Sequence, residues 1–327
     1  MITNTVAALN GLYSRARIVE NDKDCIFSPD DIDKLPVSND PPIVTKDGAT
    51  AINLHEIAFI TGTEAARTAI FAKMIAATAL CGGEYPFAND MKTSFHDARV
   101  LWVDGISTPQ AMVQLAKDMK QQFNANRDNF RIIALTALGD DQVLVGHIYP
   151  LICDTVTEFK PNLIVINDLD YVFTNAIWRD ASAFVEFLRD YVNYNEAAVC
   201  AVGHNLIGKV KRTTGYVGEI MFPLASTVYR VAERSKKQCE VTRVLCYKSM
   251  MQCPRDFAFI INEHNFPQQV DTPTSPQSAS RFLYAMATDT PLQPSDPLCS
   301  DTVATNAQQP ADNQTENKNQ HQVLTVF

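Results

Sequence analysis

Short apolar runs alternate with longer stretches of helical spacing through the middle of the chain. Residues 56–61 (EIAFIT), 99–104 (RVLWVD), 130–135 (FRIIAL), 163–167 (LIVIN) and 197–203 (AAVCAVG) are nearly continuous apolar segments. They read as strands buried on both faces. Between them lie 64–80, 109–123, 140–159 and 178–194. In the second of these stretches Met112, Leu115, Ala116 and Met119 fall on one helical face. In the fourth, Phe184, Phe187, Leu188 and Tyr191 do the same. Strands alternating with helices of this length predict βαβ units, hence an α/β fold with a mostly parallel sheet covered on both faces. Right-handed crossovers then give a three-layer core. After residue 225 the pattern changes. Segments 227–231, 239–247 and 257–261 read as strands without helices between them, predicting antiparallel hairpins that extend one edge.

The flanks differ from this core. Residues 1–40 are polar and rich in Asp, Asn and Pro, with Ser28-Pro29-Asp30-Asp31 as a helix start. They read as an N-terminal arm before a domain spanning 41–270. In 271–327, Pro273, Pro276, Pro291, Pro294 and Pro297 punctuate Ser, Thr, Gln and Asn. Residues 300–322 carry too little apolar surface to order themselves, so this segment reads as a largely disordered tail. Its tip, Val323, Leu324, Val326 and Phe327, is apolar again. No internal repeat is visible.

Composition narrows the function classes. The net charge of −9 argues against a non-specific nucleic-acid coat. It leaves room for a local basic patch, and Lys209, Lys211 and Arg212 form the sharpest one. The most apolar stretch, 65–80, is interrupted by Arg67 and Lys73, so no membrane span is expected. The first residues lack the basic start of a secretory signal. The eight cysteines include no C-x-x-C pair, and several lie within apolar runs. Free thiols in a reducing cytoplasm are the expectation, and no metal site is.

In an open parallel sheet, ligands bind beyond the carboxyl ends of the strands. Four such ends are Gly62, Asp104, Asn167 and Gly203. The first opens a strand–loop–helix segment, Gly62, Thr63, Glu64, Ala65, Ala66, Arg67, Thr68 and Ala69. A phosphate-binding loop reads G-x-x-x-x-G-K-[ST], with backbone N–H groups cradling phosphate, Lys neutralising it and the hydroxyl holding Mg²⁺. Gly62 fits the first Gly. Arg67 stands at the second, Thr68 at the Lys and Ala69 at the Ser/Thr.

Taken in order, the motifs resemble RecA-like P-loop ATPases related to plasmid RepA-type helicases, in the form found in mobile-element ATPases of Bacteroides-type bacteria. That group commonly carries G-K-x-K-x-R-K-T, which Gly62 and Arg67 match. Its D-T-E-Q element corresponds to Asp104-Gly105-Ile106-Ser107, where Ile106 replaces the Glu that activates water. Its strand ending in I-D-G corresponds to Ile166-Asn167-Asp168, so the Walker B carboxylate is lost to Asn167 or shifted to Asp168. Its H-x-N-K and R-G-H-L-G-T-E elements correspond to His204-Asn205-Leu206 and Thr214 to Glu219, with His204, Gly215, Gly218 and Glu219 matching. Arg255 to Phe259 with Asn265-Phe266-Pro267 resembles the closing hairpin. The resemblance covers 41–270 and implies a RecA-like P-loop NTPase core. It also implies ATP and Mg²⁺ as the ligands of any active member, and self-association or a replication or mobilisation protein as partner. Near 209–212 it implies a loop approaching DNA or a neighbouring subunit.

Three functional readings follow. The leading one is a degenerate ATPase acting as an assembly or DNA-associated subunit of a mobile element, with no residue assigned a catalytic role. The second is an active but divergent ATPase. There Arg67 replaces Lys, Asp168 holds Mg²⁺, and Asp104 or Glu64 orients water, with His204 as a further candidate. The third is a pure interaction module. For Asp104 and Asp168 a strand-end carboxylate capping a helix is the competing assignment, and for His204 a hydrogen-bonded polar residue at the sheet end.

Overall fold

The computed structural model describes residues 42–62, 67–137, 145–172, 178–204, 215–233, 241–250 and 252–270. The expected N-terminal arm and C-terminal tail lie outside these. The described residues form β1 (Val44–Lys46), β2 (Ala49–Ile52), β3 (Ile57–Gly62), α1 (Thr68–Leu80), β4 (Met91–Lys92), β5 (Val100–Asp104), α2 (Pro109–Phe123), β6 (Phe130–Ala134), α3 (Val145–Phe159), β7 (Leu163–Asn167), α4 (Leu169–Val172), α5 (Trp178–Tyr194), β8 (Ala198–His204), α6 (Gly215–Leu224), β9 (Thr227–Glu233), β10 (Thr242–Ser249), β11 (Phe257–Ile261) and β12 (Pro267–Val270).

Nine strands make one sheet in the order β12-β11-β10-β9-β3-β8-β7-β5-β6. The six from β9 to β6 run parallel. β10, β11 and β12 continue the sheet antiparallel. This is the expected architecture with one addition. Segment 227–231 forms the expected antiparallel hairpin with β10, and on its other edge it is also the sixth parallel strand, in register with β3 through Ala58↔Thr227 to Gly62↔Val231. The physical reason is helix α6, which the sequence reading did not include. It lies between β8 and β9 and supplies the crossover that a parallel neighbour requires.

The two faces of the sheet are buried by different helices. On one side α1 and α2 pack with Ala58, Ile60, Trp102, Val165 and Val202. On the other, α3, α4, α5 and α6 pack with Phe59, Leu101, Val103, Ile166 and Ala201. Alternate residues along each strand therefore serve opposite layers, and burial of both sets explains why the strands read as unbroken apolar runs.

A second sheet, β2-β1-β4, adds to the α1 side. Its first hairpin turns at Asp47-Gly48, both with positive φ (52° and 75°), as a two-residue turn between twisted strands demands. Tyr229 reaches from β9 to donate its hydroxyl to the Ala51 carbonyl at 2.8 Å. Helix α1 is enclosed as a result, with ten of its residues buried, from Thr68 to Leu80. Its Lys73, itself largely buried, donates to Asp118 of α2 at 3.0 Å and to the Asn265 carbonyl at 2.9 Å. Its Nζ also lies 4.0 Å from the centroid of the Phe266 ring. Burial lowers the Lys73 pKa, and Asp118 opposes that shift. One cation thus ties α1, α2 and the β11–β12 turn together.

Helix α2 begins where its sequence says it should. The Thr108 hydroxyl accepts from Ala111 N at 3.2 Å and Pro109 occupies the first helical position. The helix ends at Asn124 in the left-handed conformation. No helix among the described residues is long and apolar enough to cross a membrane.

Candidate nucleotide crevice

Adjacent strands β3 and β8 send their helices to opposite faces, α1 to one and α6 to the other. The gap outside their carboxyl ends is therefore a topological switch point, where open α/β sheets bind ligands. Gly62 and His204 are register partners at this edge. The expected phosphate-loop residues Thr63, Glu64, Ala65 and Ala66 lie outside the described residues, as do Lys209, Lys211 and Arg212. Of His204, only the backbone is described.

Arg67 is the N-cap of α1, with φ 53° and ψ 35°. Its carbonyl accepts from Ile70 N at 3.1 Å and Phe71 N at 3.2 Å. A left-handed residue costs an L side chain about 1 kcal/mol and glycine almost nothing. That is a physical reason for the motif to reserve this position for its second glycine. Here Arg67 takes the left-handed conformation with an L side chain in place.

The side chains around it do not keep the chemistry. Thr68, at the Lys position, is 3% exposed and uncharged. Ala69, at the hydroxyl position, has no oxygen to offer a metal. The side chain of Arg67 makes no capping hydrogen bond to α1, and no acidic residue lies in the first turn of the helix. Ile106, where the resemblance expects a water-activating Glu, is 40% exposed at the turn after β5.

Asp104 and Asn167 are register partners on β5 and β7 and are brought into direct contact. Asn167 Nδ2 donates to Asp104 Oδ2 at 2.7 Å. The same oxygen accepts from Trp102 Nε1 at 3.0 Å. Asp104 Oδ1 accepts from the backbone N–H of Ile106 at 3.1 Å and of Ser107 at 2.6 Å. A carboxylate has about four acceptor positions, and four donors occupy them here. Both residues are almost wholly buried. Of the two assignments open for Asp104, capping and metal binding, this geometry fits the first. Its charge holds the turn into α2, while the Gly105 N–H donates to the Asn167 carbonyl at 2.7 Å. Asp168 follows across a cis peptide, is fully buried, and accepts the Val172 N–H on its carbonyl at 3.0 Å. Among the described residues no three His, Cys, Asp or Glu side chains form a group that could hold a metal ion. At the described positions that the resemblance aligns with the motif, 68 carries no cation, 69 no hydroxyl and 106 no carboxylate, and both oxygens of Asp104 are already engaged; Glu64 lies outside the described residues.

One feature of this edge was not read from the sequence. Trp178, at the start of α5, and Tyr216, at the start of α6, meet edge-on with centroids 5.6 Å apart. Both stay about half exposed, 55% and 46%. Each helix follows a strand that ends at the crevice, so the pair stands on the same side of the sheet. Their separate sequence positions carry no signal of this pairing, which depends on α5 packing beside α6. Two open polar clefts lie elsewhere. One, of about 420 Å³, is bounded by Asp47, Gly48, Lys92 and Arg255. The other, of about 590 Å³, lies at the amino ends of the parallel strands beside Arg99, Asn129 and Asn162. Polar side chains of the second already join strand entries: Asn162 Oδ1 accepts from Arg99 N at 2.9 Å and Asn162 Nδ2 donates to the Glu196 carbonyl at 2.9 Å.

Comparison with known proteins supports the fold. The flagellar accessory protein FlaH of Methanocaldococcus jannaschii is similar in structure, with a TM-score of 0.50, 12% identity, and coverage of 76% of this chain and 98% of that one. The fold is RecA-like. A KaiC-like protein from the hyperthermophilic archaeon Pyrococcus horikoshii aligns with a TM-score of 0.48 and 12% identity, over 68% of this chain and 92% of that one. No family model and no curated protein matches the sequence.

Proposed function

We propose that this chain is a RecA-like subunit that no longer performs phosphoryl transfer and works by assembly, with itself or with a protein of replication or mobilisation of a mobile element, in the cytoplasm. The observation that carries the reading is the Asp104–Asn167 bridge. In phosphoryl transfer nearly all catalysis is positioning and charge stabilisation around the phosphate and its metal. Here the strand-end carboxylate is consumed by four hydrogen bonds, and its neighbour is an amide that serves as one of those donors. Thr68, Ala69 and Ile106 remove three further contributions from the same edge.

The retained left-handed turn at Arg67 supports weak nucleotide binding without turnover, through backbone N–H groups and the α1 dipole. The basic segment Lys209, Lys211 and Arg212 is the contact assigned to DNA or a neighbouring subunit. The exposed Trp178–Tyr216 pair supports the nucleic-acid version, because exposed aromatic side chains stack unpaired bases. Calorimetric titration with ATP–Mg²⁺ followed by a hydrolysis assay tests the proposal. Weak or absent binding with background hydrolysis is expected. Turnover that is suppressed by Asp168→Ala or Arg67→Ala would overturn it in favour of a divergent active ATPase.

A further inference from the structure

At the opposite end of the sheet from the crevice, two thiols approach closely. Cys246, on β10, lies with its Sγ 3.0 Å from the Sγ of Cys253, in the connection to β11. The strand directions fix the location. β10 runs antiparallel to β9, and its last residue, Ser249, pairs with Thr227, the first of β9. Cys246 and the connection therefore lie toward the amino ends of the parallel strands. Two sulfurs at 3.0 Å need to close by about 1 Å to reach a disulfide bond length. Cys253 is exposed and Cys246 is half-buried. The neighbouring frame is held independently of the thiols: Arg243 pairs with Asp256 at 3.4 Å, and Lys248 Nζ donates to the Ala225 carbonyl at 2.6 Å.

We propose that Cys246 and Cys253 form a reversible thiol–disulfide site that takes low-molecular-weight disulfides as its oxidant. The exposed Cys253 thiolate attacks one sulfur of the small disulfide, forming a mixed disulfide and releasing the first small thiol. Cys246 then gives up its proton and attacks the Cys253 sulfur. The protein disulfide forms and the second small thiol leaves. Two protein thiols are oxidised, one small disulfide is reduced, and the two protons leave on the released thiols. The order is set by access, and it is reinforced by burial, which pushes the Cys246 thiol well above its ordinary pKa, with Cys253 and Asp256 adding to the effect. Once Cys253 is in the mixed disulfide its own contribution is gone. The bond would clip the antiparallel extension to itself and leave the crevice unobstructed.

The test is incubation of the full-length protein with oxidised glutathione, alkylation of the remaining thiols, and peptide mass mapping. The expected product is a peptide pair joined through Cys246 and Cys253, reversed by dithiothreitol. Cys253→Ser, at an exposed site, should leave Cys246 fully alkylatable. Cys246→Ser should stop at a stable glutathione adduct on Cys253. A stable adduct on Cys253 in the unsubstituted protein, with Cys246 still free, would overturn the proposal. So would joining of either residue to Cys239 in its place.

Discussion

Restoring the missing strand-end carboxylate by Asn167→Asp should damage the protein in a way that depends on pH. The substituted carboxyl would sit where an amide nitrogen now lies 2.7 Å from Asp104 Oδ2, with both residues buried. Two full charges at that separation repel by roughly 6 kcal/mol at an effective dielectric constant near 20. Keeping one proton on the pair instead costs about 4 kcal/mol at pH 7, from an ordinary aspartate pKa near 3.9 and about 1.4 kcal/mol per unit. The smaller cost wins, so the folded protein holds a shared proton that the unfolded chain has released. The folded pKa is raised above the unfolded one. Stability relative to the unsubstituted protein is therefore intact near pH 4 and falls by about 1.4 kcal/mol per unit as pH rises, up to the raised pKa. The protonated Asp can donate as Asn167 does, which is why the acid form should nearly match the original. Urea unfolding of both proteins from pH 4.5 to 8 measures the difference directly. Asn167→Ala is the control: it loses a donor to a charged acceptor, roughly 1.5–3 kcal/mol, with little pH dependence over this range. A penalty for Asn167→Asp that is flat with pH, or below about 1 kcal/mol at pH 7 as for an exposed pair, would refute the buried bridge.

Other outcomes follow from the same geometry. Thr68→Lys with Ala69→Thr should strengthen ATP–Mg²⁺ binding in calorimetry but leave hydrolysis at background, because position 106 still lacks a carboxylate; brisk turnover would mean that another group activates water. Replacing Lys209, Lys211 and Arg212 with Ala should weaken single-stranded DNA binding and flatten its salt dependence by about one logarithmic unit of slope per lost phosphate contact, and an unchanged slope would exclude this segment as the contact. Lys73→Met leaves the buried Asp118 with Gln114 as its side-chain donor but without its cation, and should lower stability by about 3 kcal/mol in chemical unfolding. Lys73→Met combined with Asp118→Leu should regain most of that loss, and failure to regain it would show that the cation acts through Asn265 and Phe266 rather than through the pair.

Much of the fold was legible because its strands are buried on both faces, and continuous apolar runs such as 163–167 announce that directly. Helix α5 was legible for the complementary reason: one apolar face recurs through Phe184, Leu188 and Tyr191. Helix α6 was missed because its residues are mostly apolar, with no polar stripe to set a period, and Pro223 lies inside it. With it went the parallel pairing of β9 with β3. The hairpin signal Asp47-Gly48 was present in the sequence, but its strands are three and four residues long, too short to show alternation.

At the candidate site, the sequence alone determined which side chains stand at the positions that the proposed reading aligns with the phosphate-transfer motif: Thr at 68, Ala at 69 and Ile at 106. Identity at an ordered position is enough for that. Tertiary structure alone decided what the remaining residues do. Asp104 could cap a turn or hold a metal as long as its neighbours were unknown. It became a saturated acceptor only when Trp102, Ile106, Ser107 and, from another strand, Asn167 were brought within hydrogen-bond distance. Likewise the Trp178–Tyr216 pair and the Cys246–Cys253 contact join residues whose spacing in the chain says nothing about their distance. Strand order and helix packing set those distances, and both depend on contacts between segments far apart in sequence.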